Sequence, residues 1–137
     1  MNIFLRAHEK IYINGAVIRV DRKTTLELMN EATFLLENHV MQTKDATTPM
    51  RRIYFAIQVM LMDPSASEQA VVLARSLMQD AVGLYKSPEL ISGLEKVGSL
   101  IERARNFEAL KTLRALFPVE DEELQQIMGQ QQQLATA

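Results

Sequence analysis

The dipeptide Asn14-Gly15 lies between two apolar runs near the start of the chain. Asn-Gly is the strongest short-range signal for a two-residue hairpin turn, because both residues readily adopt positive φ angles. A turn at this dipeptide fixes the register of the flanking strands, so that Tyr12 faces Val17 and Lys10 faces Arg19. Side chains alternate between the two faces of a strand. These four residues are therefore expected to share one face.

That face combines positive charge with an aromatic ring. Like charges directly opposite each other are unfavourable, so the pair of Lys10 and Arg19 indicates an anionic partner. A base would stack on a neighbouring aromatic ring, which makes RNA the first candidate. The candidate RNA-binding residues are Arg6, Lys10, Tyr12, Arg19, Arg22 and Lys23. The alternative is an ordinary solvated strand face, with Glu9 and Asp21 neutralising part of the charge.

The composition predicts a folded, soluble protein of the cytoplasm. Of the 137 residues, 47% are hydrophobic, and there is no cysteine, which fits a reducing compartment. We expect no secretion signal and no membrane span, since the longest apolar run is too short to cross a bilayer. The net charge of -2 argues against a strongly electrostatic nucleic-acid binder. The first 52 residues nevertheless carry eight Lys/Arg against six Asp/Glu, which allows a local basic patch.

Residues 1–46 are predicted to form an N-terminal β region. Short apolar runs indicate strands at residues 3–5, 10–14 and 16–20. A second hairpin is predicted across residues 26–36, turning near Asn30-Glu31. Residues 24–37 could alternatively form an amphipathic helix, but Thr24, Thr25 and Thr33 favour strands.

Residues 47–128 are predicted to form a bundle of three to four helices. Thr48-Pro49 combines an N-cap with a proline at the first helical position, and Asp63-Pro64 ends that first helix. Residues 65–68 match a capping box for a second helix, and Ser87-Pro88 begins a third.

The last part of the chain has weaker signals. Asn106 either interrupts the third helix or is carried through it, and Pro118 is predicted to end it. The glutamine-rich tail at residues 129–137 has little to bury and is predicted to be disordered. The predicted fold class is therefore α+β: a small antiparallel N-terminal β region, built of hairpins, packed with a C-terminal helical bundle.

Catalysis has little support in the sequence. His8 and His39 are the only histidines, and neither has metal-ligand spacing around it. No phosphate-binding loop and no nucleophile motif is present. We therefore expect no enzyme activity, no cofactor and no metal.

Arg51 and Arg52 place two cations in the first turn of a predicted helix, where they oppose the helix dipole. One interpretation is that they pair with Asp45 or with the acidic run at residues 120–123. The other is that they contact RNA phosphate or an acidic protein partner.

Several segments, taken in order, resemble a single family. They are residues 13–19, residues 34–37, residues 46–55, Gln58 and residues 62–64. In this order and spacing they resemble the flagellin synthesis regulators called FlbT, over about residues 5–117. The run into Ile53-Tyr54-Phe55 is the most specific part of the resemblance.

The resemblance implies a cytoplasmic, non-enzymatic regulator of flagellum biogenesis. Such a regulator acts on the 5′ untranslated region of flagellin messenger RNA and controls the translation and stability of the message; some members repress flagellin synthesis and others promote it. Besides that RNA, the implied partners are the flagellar regulator FlaF and flagellin. A small sheet alone is marginal, so a second copy of the chain is a further candidate partner. The alternative function is a protein-interaction adaptor or flagellin chaperone that affects the messenger RNA indirectly.

Overall fold

The computed structural model describes residues 1–30 and 32–136, with side chains up to Gln130. Within those residues, five strands come first and four helices follow, which confirms the predicted α+β class. The strands are β1 (Asn2–Leu5), β2 (Lys10–Ile13), β3 (Ala16–Arg19), β4 (Thr24–Glu27) and β5 (Phe34–Leu36). The helices are α1 (Pro49–Met62), α2 (Ser67–Ala81), α3 (Pro88–Glu102) and α4 (Asn106–Thr136).

The hairpin predicted at Asn14-Gly15 is confirmed. β2 and β3 pair antiparallel, with Lys10 opposite Arg19. Asn14 and Gly15 have φ angles of 49° and 84°, as the favoured two-residue turn with two positive φ angles requires. A Cβ at Gly15 would lie 2.9 Å from the ring of Pro64. Glycine is therefore required here both by the backbone conformation and by the close approach of the segment after α1.

The second predicted hairpin is wrong in its pairing. β4 pairs with β1, and β5 pairs with β2, both antiparallel, giving one two-stranded and one three-stranded sheet. Phe34 and Leu35 of β5 are both buried although they point to opposite faces. β5 therefore needs cover on both sides, which a hairpin with the half-exposed β4 would not give. Of the predicted turn at Asn30-Glu31, Glu31 lies outside the described residues.

The three-stranded sheet lies between two layers. On one face, Ile11 belongs to a small core that includes Ile3 of the two-stranded sheet. On the other face, Tyr12 packs against the core of the helical bundle. Lys10 and Arg19 share this second face with Tyr12, so the face predicted to bind RNA is the one turned toward the helices.

The helical bundle is centred on α1 and α4. Thr48 caps α1 as predicted, because its hydroxyl accepts a hydrogen bond from the backbone N–H of Arg51 at 3.2 Å. α2 packs on α1 and α3 packs on α4, whereas α2 and α3 barely touch. An apolar groove of about 290 Å³ therefore remains between α2 and α3.

One predicted cap and one predicted helix end are wrong. The capping box at residues 65–68 does not form: α2 begins at Ser67 without a side-chain cap. The carboxylate of Asp63 instead accepts hydrogen bonds from the backbone N–H and the hydroxyl of Ser65, at 3.1 and 2.5 Å. α4 continues through Pro118, held by the buried residues Leu116 and Glu120 on either side of it.

The division into segments 1–46, 47–128 and 129–137 stays a prediction. The structure describes the backbone of residues 129–136 as the last part of α4, and Ala137 lies outside the described residues.

Candidate nucleic-acid interface

Most of the predicted basic residues lie where the two sheets meet. Lys10 and Arg19 form the last pair of the β2–β3 ladder, and Leu5 and Thr24 form the last pair of the β1–β4 ladder. Two short connections join these ladder ends and carry the remaining basic residues. The junction patch consists of Arg6, Lys10, Arg19, Arg22 and Lys23. The fold thus brings together positions that the sequence separates by up to 17 residues.

Hydrogen bonds hold the two connections of the junction in place. The backbone N–H of His8 donates to the carbonyl of Val20 at 2.7 Å, and the N–H of Val20 donates to the carbonyl of Glu9 at 3.2 Å. His8 has a φ angle of 67°, a conformation uncommon outside glycine. Lys10 is half-buried, and the other four side chains of the patch are exposed. Four of the five side chains of the patch are therefore open to solvent on a hydrogen-bonded scaffold, although Lys10 and Arg19 lie on the helix-facing side of their sheet.

The positive charge of the junction patch is partly balanced. The Nε atom of Arg22 lies 3.5 Å from Asp21, with both side chains more than 80% exposed. The Glu37 carboxylate accepts a hydrogen bond from the backbone N–H of Lys10 at 3.2 Å. Exposed ion pairs contribute little free energy, so Arg22 stays available to an anionic ligand. The local excess of positive charge is moderate.

Tyr12 lies on the same strand face as Lys10 and Arg19, but its ring is less accessible than the exposed part of the junction patch. It lines a cleft of about 380 Å³ between the three-stranded sheet and α1, together with Met41, Phe55 and Val59. The ring is half-buried and packs partly against the helical core. A base would have to enter this cleft to stack on it.

Phe4 is an aromatic residue that the sequence reasoning missed. Its neighbours Ile3 and Leu5 are buried, whereas Phe4 is 73% exposed on the outer face of the two-stranded sheet. It pairs with Thr25, one position before the last pair of that ladder. Arg6 and Lys23 follow directly beyond that last pair. The alternation of residues 3–5 carried this signal, since a phenylalanine between two inward-facing residues points outward.

Arg51 forms the structural contacts that one interpretation predicted. Its guanidinium donates two hydrogen bonds to the Asp121 carboxylate, at 2.7 and 2.9 Å, and lies 4.6 Å from the ring centre of Phe117. The hydrogen bond to Asp121 is the main cause that raises the pKa of Arg51. Arg52, in contrast, is exposed. Of the two arginines, Arg52 is the better placed for a ligand.

Glu120 is a fully buried carboxylate that joins α4 to the start of α1. It accepts hydrogen bonds from the Thr48 hydroxyl at 2.5 Å and from the backbone N–H of Met50 at 3.0 Å. It also accepts a hydrogen bond from the hydroxyl of Tyr85. Burial first, and this hydrogen bond second, raise the pKa of Tyr85 well above its ordinary value.

Glu123 joins α4 to the start of α3, as Glu120 joins α4 to the start of α1. Its carboxylate accepts hydrogen bonds from the backbone N–H groups of Lys86 and Ser87, at 2.7 and 2.9 Å. Negative charge is favourable at a helix N-terminus. The acidic run of α4 therefore caps two other helices and is part of the fold's framework.

The most specific motif of the family resemblance is also structural. The Tyr54 hydroxyl donates to the carbonyl of His39 at 2.6 Å. The Gln58 amide exchanges two hydrogen bonds with the backbone of Met41, at 2.6 and 2.9 Å. These contacts fix the connection between β5 and α1 onto the helix. Burial, and then the nearby Arg114, lower the pKa of His39.

Among residues 1–30 and 32–136, no group of His, Asp or Glu side chains is arranged to hold a metal ion. No helix in these ranges is both long and apolar enough to cross a bilayer.

The family model and the relatives that match this chain carry the same family name. The family model described as "Flagellar protein FlbT" matches residues 1–124. The "Probable flagellum biosynthesis repressor protein FlbT" of Brucella abortus (strain S19) is 48% identical over 131 residues, covering 96% of this chain and 84% of the relative. The protein of the same name from Brucella anthropi is 49% identical over 122 residues, covering 89% of this chain and 80% of the relative. No solved structure is a significant match.

Proposed function

Because the chain belongs to the FlbT family of flagellar proteins, we propose that it represses flagellum biosynthesis by binding the 5′ untranslated region of flagellin messenger RNA. Binding there would control translation and stability of the message, in the cytoplasm. The repressor role is supported by relatives named as probable flagellum biosynthesis repressors. The RNA-binding role is supported by the surface at the sheet junction.

The observation that carries RNA binding is the combination of the junction patch with exposed Phe4. Single-stranded RNA is bound by cations that contact its phosphates and by aromatic rings on which its bases stack. Arg6 and Lys23 follow the ladder end next to Phe4, so a base stacked on Phe4 would have its phosphates within the patch. The half-buried Tyr12 offers a second ring, inside its cleft.

The moderate charge of the junction patch sets the expected binding mode. Phosphate contacts alone would give weak affinity, since the patch is partly balanced by acidic neighbours. Stacking on Phe4 is expected to supply much of the remaining affinity, at about 1–3 kcal/mol per base. Unpaired segments of the untranslated region are therefore the expected target, because paired bases are not free to stack.

Fluorescence anisotropy with labelled flagellin 5′ untranslated RNA tests this function. The wild-type chain should bind this RNA more tightly than a scrambled RNA of equal length. Phe4→Ala should weaken binding about tenfold or more, and Phe4→Trp should retain it, because a tryptophan ring also stacks. Val72→Ala is the matched control, since Val72 is 68% exposed on α2, a helix outside both sheets.

The same experiment separates direct binding from the alternative role. An adaptor or flagellin chaperone acting indirectly would show no affinity for the untranslated RNA, even at low salt. Equal affinity for the scrambled RNA, unaffected by Phe4→Ala, would also contradict the proposed site.

A further inference from the structure

α4 extends well beyond the bundle that it completes. Its 31 residues span about 46 Å, whereas the 14 residues of α1 span about 21 Å. Among the described side chains, the last residues of α4 that hydrogen-bond to other elements are Glu120, Asp121 and Glu123. We call the remaining part of the helix, residues 124–136, the C-terminal arm.

The C-terminal arm has the composition of a helix that packs against a protein surface. It contains no charged residue, although charged side chains normally cover the water-facing side of a surface helix. Leu124 and Ile127 are half-buried, and Met128 is 60% exposed. Their spacing places them on one side of the helix. This apolar stripe lies beyond the last α4 residues that hydrogen-bond to other elements, and Met128 is the member most open to a partner.

The groove between α2 and α3 is apolar, and among the described side chains none from α1 or α4 lines it. Val82 and Ile91 line this groove and are 73% and 45% exposed. Glu95 is the one charged residue along its lining in the described part of the chain. A neutral, apolar helix is therefore the complementary occupant.

The arm begins at the end of the bundle where one wall of the groove lies. Tyr85 lines the groove and donates its hydroxyl hydrogen to Glu120. The backbone of Lys86 bonds to Glu123, immediately before the arm. α4 is continuous, and none of its described side chains, which end at Gln130, lines the groove of its own chain. A second copy meeting this end would present its groove to the arm.

We propose that two copies of this chain form a symmetric dimer in which the C-terminal arm of each copy lies in the α2–α3 groove of the other. Such an exchange is closed, since each copy supplies one arm and one groove. It covers the apolar stripe and the apolar groove at once. This inference does not depend on RNA binding.

Sedimentation equilibrium of the full chain tests the exchange. The wild type should be dimeric. Ile127→Glu in the arm and Val82→Glu in the groove should each raise the dimer Kd at least about 100-fold, because each places a charge in an apolar contact. Two controls should leave the dimer Kd unchanged: Gln125→Glu, an exposed position of the arm, and Val72→Glu, an exposed α2 valine outside the groove. Circular dichroism confirms that each variant is folded.

Mixing the two defective variants makes the test specific to exchange. An equimolar mixture of Ile127→Glu and Val82→Glu contains one intact arm and one intact groove, so heterodimers should form where neither variant dimerises alone. A monomeric wild type would overturn the proposal. So would a dimer that Ile127→Glu disrupts and Val82→Glu does not, since the arms would then pair with each other.

Discussion

Lys10 lies directly opposite Arg19 at the end of the β2–β3 ladder, so two positive side chains are cross-strand neighbours. Like charges in this position destabilise a hairpin in the free protein. An anionic ligand relieves that repulsion, because it brings negative charge between the two side chains. Stability and RNA affinity should therefore respond in opposite directions to a charge change at this pair.

Arg19→Glu tests this opposition. It creates an opposite-charge pair with Lys10 and should raise the free energy of unfolding by about 0.2–1 kcal/mol, measured by urea denaturation. The same variant should weaken binding of the flagellin untranslated RNA. Lys96→Glu, an exposed position on α3, is the control and should leave RNA affinity unchanged. A less stable Arg19→Glu variant with full RNA affinity would contradict the assignment of this pair.

Glu120→Ala should be among the most destabilising single substitutions in the chain. It removes the acceptor for Thr48, Met50 and Tyr85 and leaves a buried cavity. Unpairing such a buried network costs about 3–5 kcal/mol, which urea denaturation would detect. The neighbouring exposed residue gives the control: Glu122→Ala should change stability by less than about 0.5 kcal/mol. A similar loss in the free energy of unfolding for the two variants would show that the hydrogen bonds of Glu120 do not stabilise the fold.

Ala104→Gly should stabilise the protein. Ala104 has a φ angle of 57° after the end of α3, and the N–H of Arg105 bonds back to the carbonyl of Leu100 at 2.8 Å. This is a helix-ending motif that favours glycine, so the substitution should add about 0.5–1 kcal/mol. Ala115→Gly, at an exposed position inside α4, should lower stability by a similar amount. If thermal unfolding shows that both glycine variants are stabilised, or that both are destabilised, the left-handed conformation assigned to Ala104 is contradicted.

The buried tyrosines predict loss of stability at alkaline pH. Burial is the first cause that raises the pKa of Tyr85 and of Tyr54 above their ordinary value of 10.0. A pKa that is higher in the folded state gives stability that is complete below about pH 10 and is lost as the pH rises further. The free energy of unfolding should therefore fall across that range, and Tyr85→Phe should make the fall shallower by up to about 1.4 kcal/mol per pH unit. An unchanged slope in Tyr85→Phe would show that this phenol does not ionise on unfolding.

The elements predicted well from the sequence are those that local chemistry determines. Asn14-Gly15 determines its hairpin because the turn itself requires two positive φ angles. Thr48-Pro49 determines the start of α1 because the cap is made within one turn of the helix. Neither depends on distant parts of the chain.

The elements predicted wrongly are those that distant contacts determine. The pairing partners of β4 and β5 depend on which other elements cover these strands. The local sequence of each strand does not determine that cover. Pro118 would end an isolated helix, but α4 is fixed on both sides of it by contacts to the other helices, such as the hydrogen bond of Glu120 to Met50, 70 residues away. In the candidate site, the basic residues were apparent individually. That they lie together at one surface was shown only by the structure, because it depends on where the two ladders end.

The measurement that tests RNA binding at the junction most directly is the salt dependence of affinity for the flagellin 5′ untranslated RNA. For single-stranded RNA, each phosphate contact contributes about 0.7 to the slope of log affinity against log salt concentration. The double variant Lys10→Gln with Arg19→Gln should therefore bind more weakly than the wild type, with a slope smaller by about 1.4. A double variant that binds this RNA with the wild-type affinity and the wild-type slope would show that the RNA does not contact this surface.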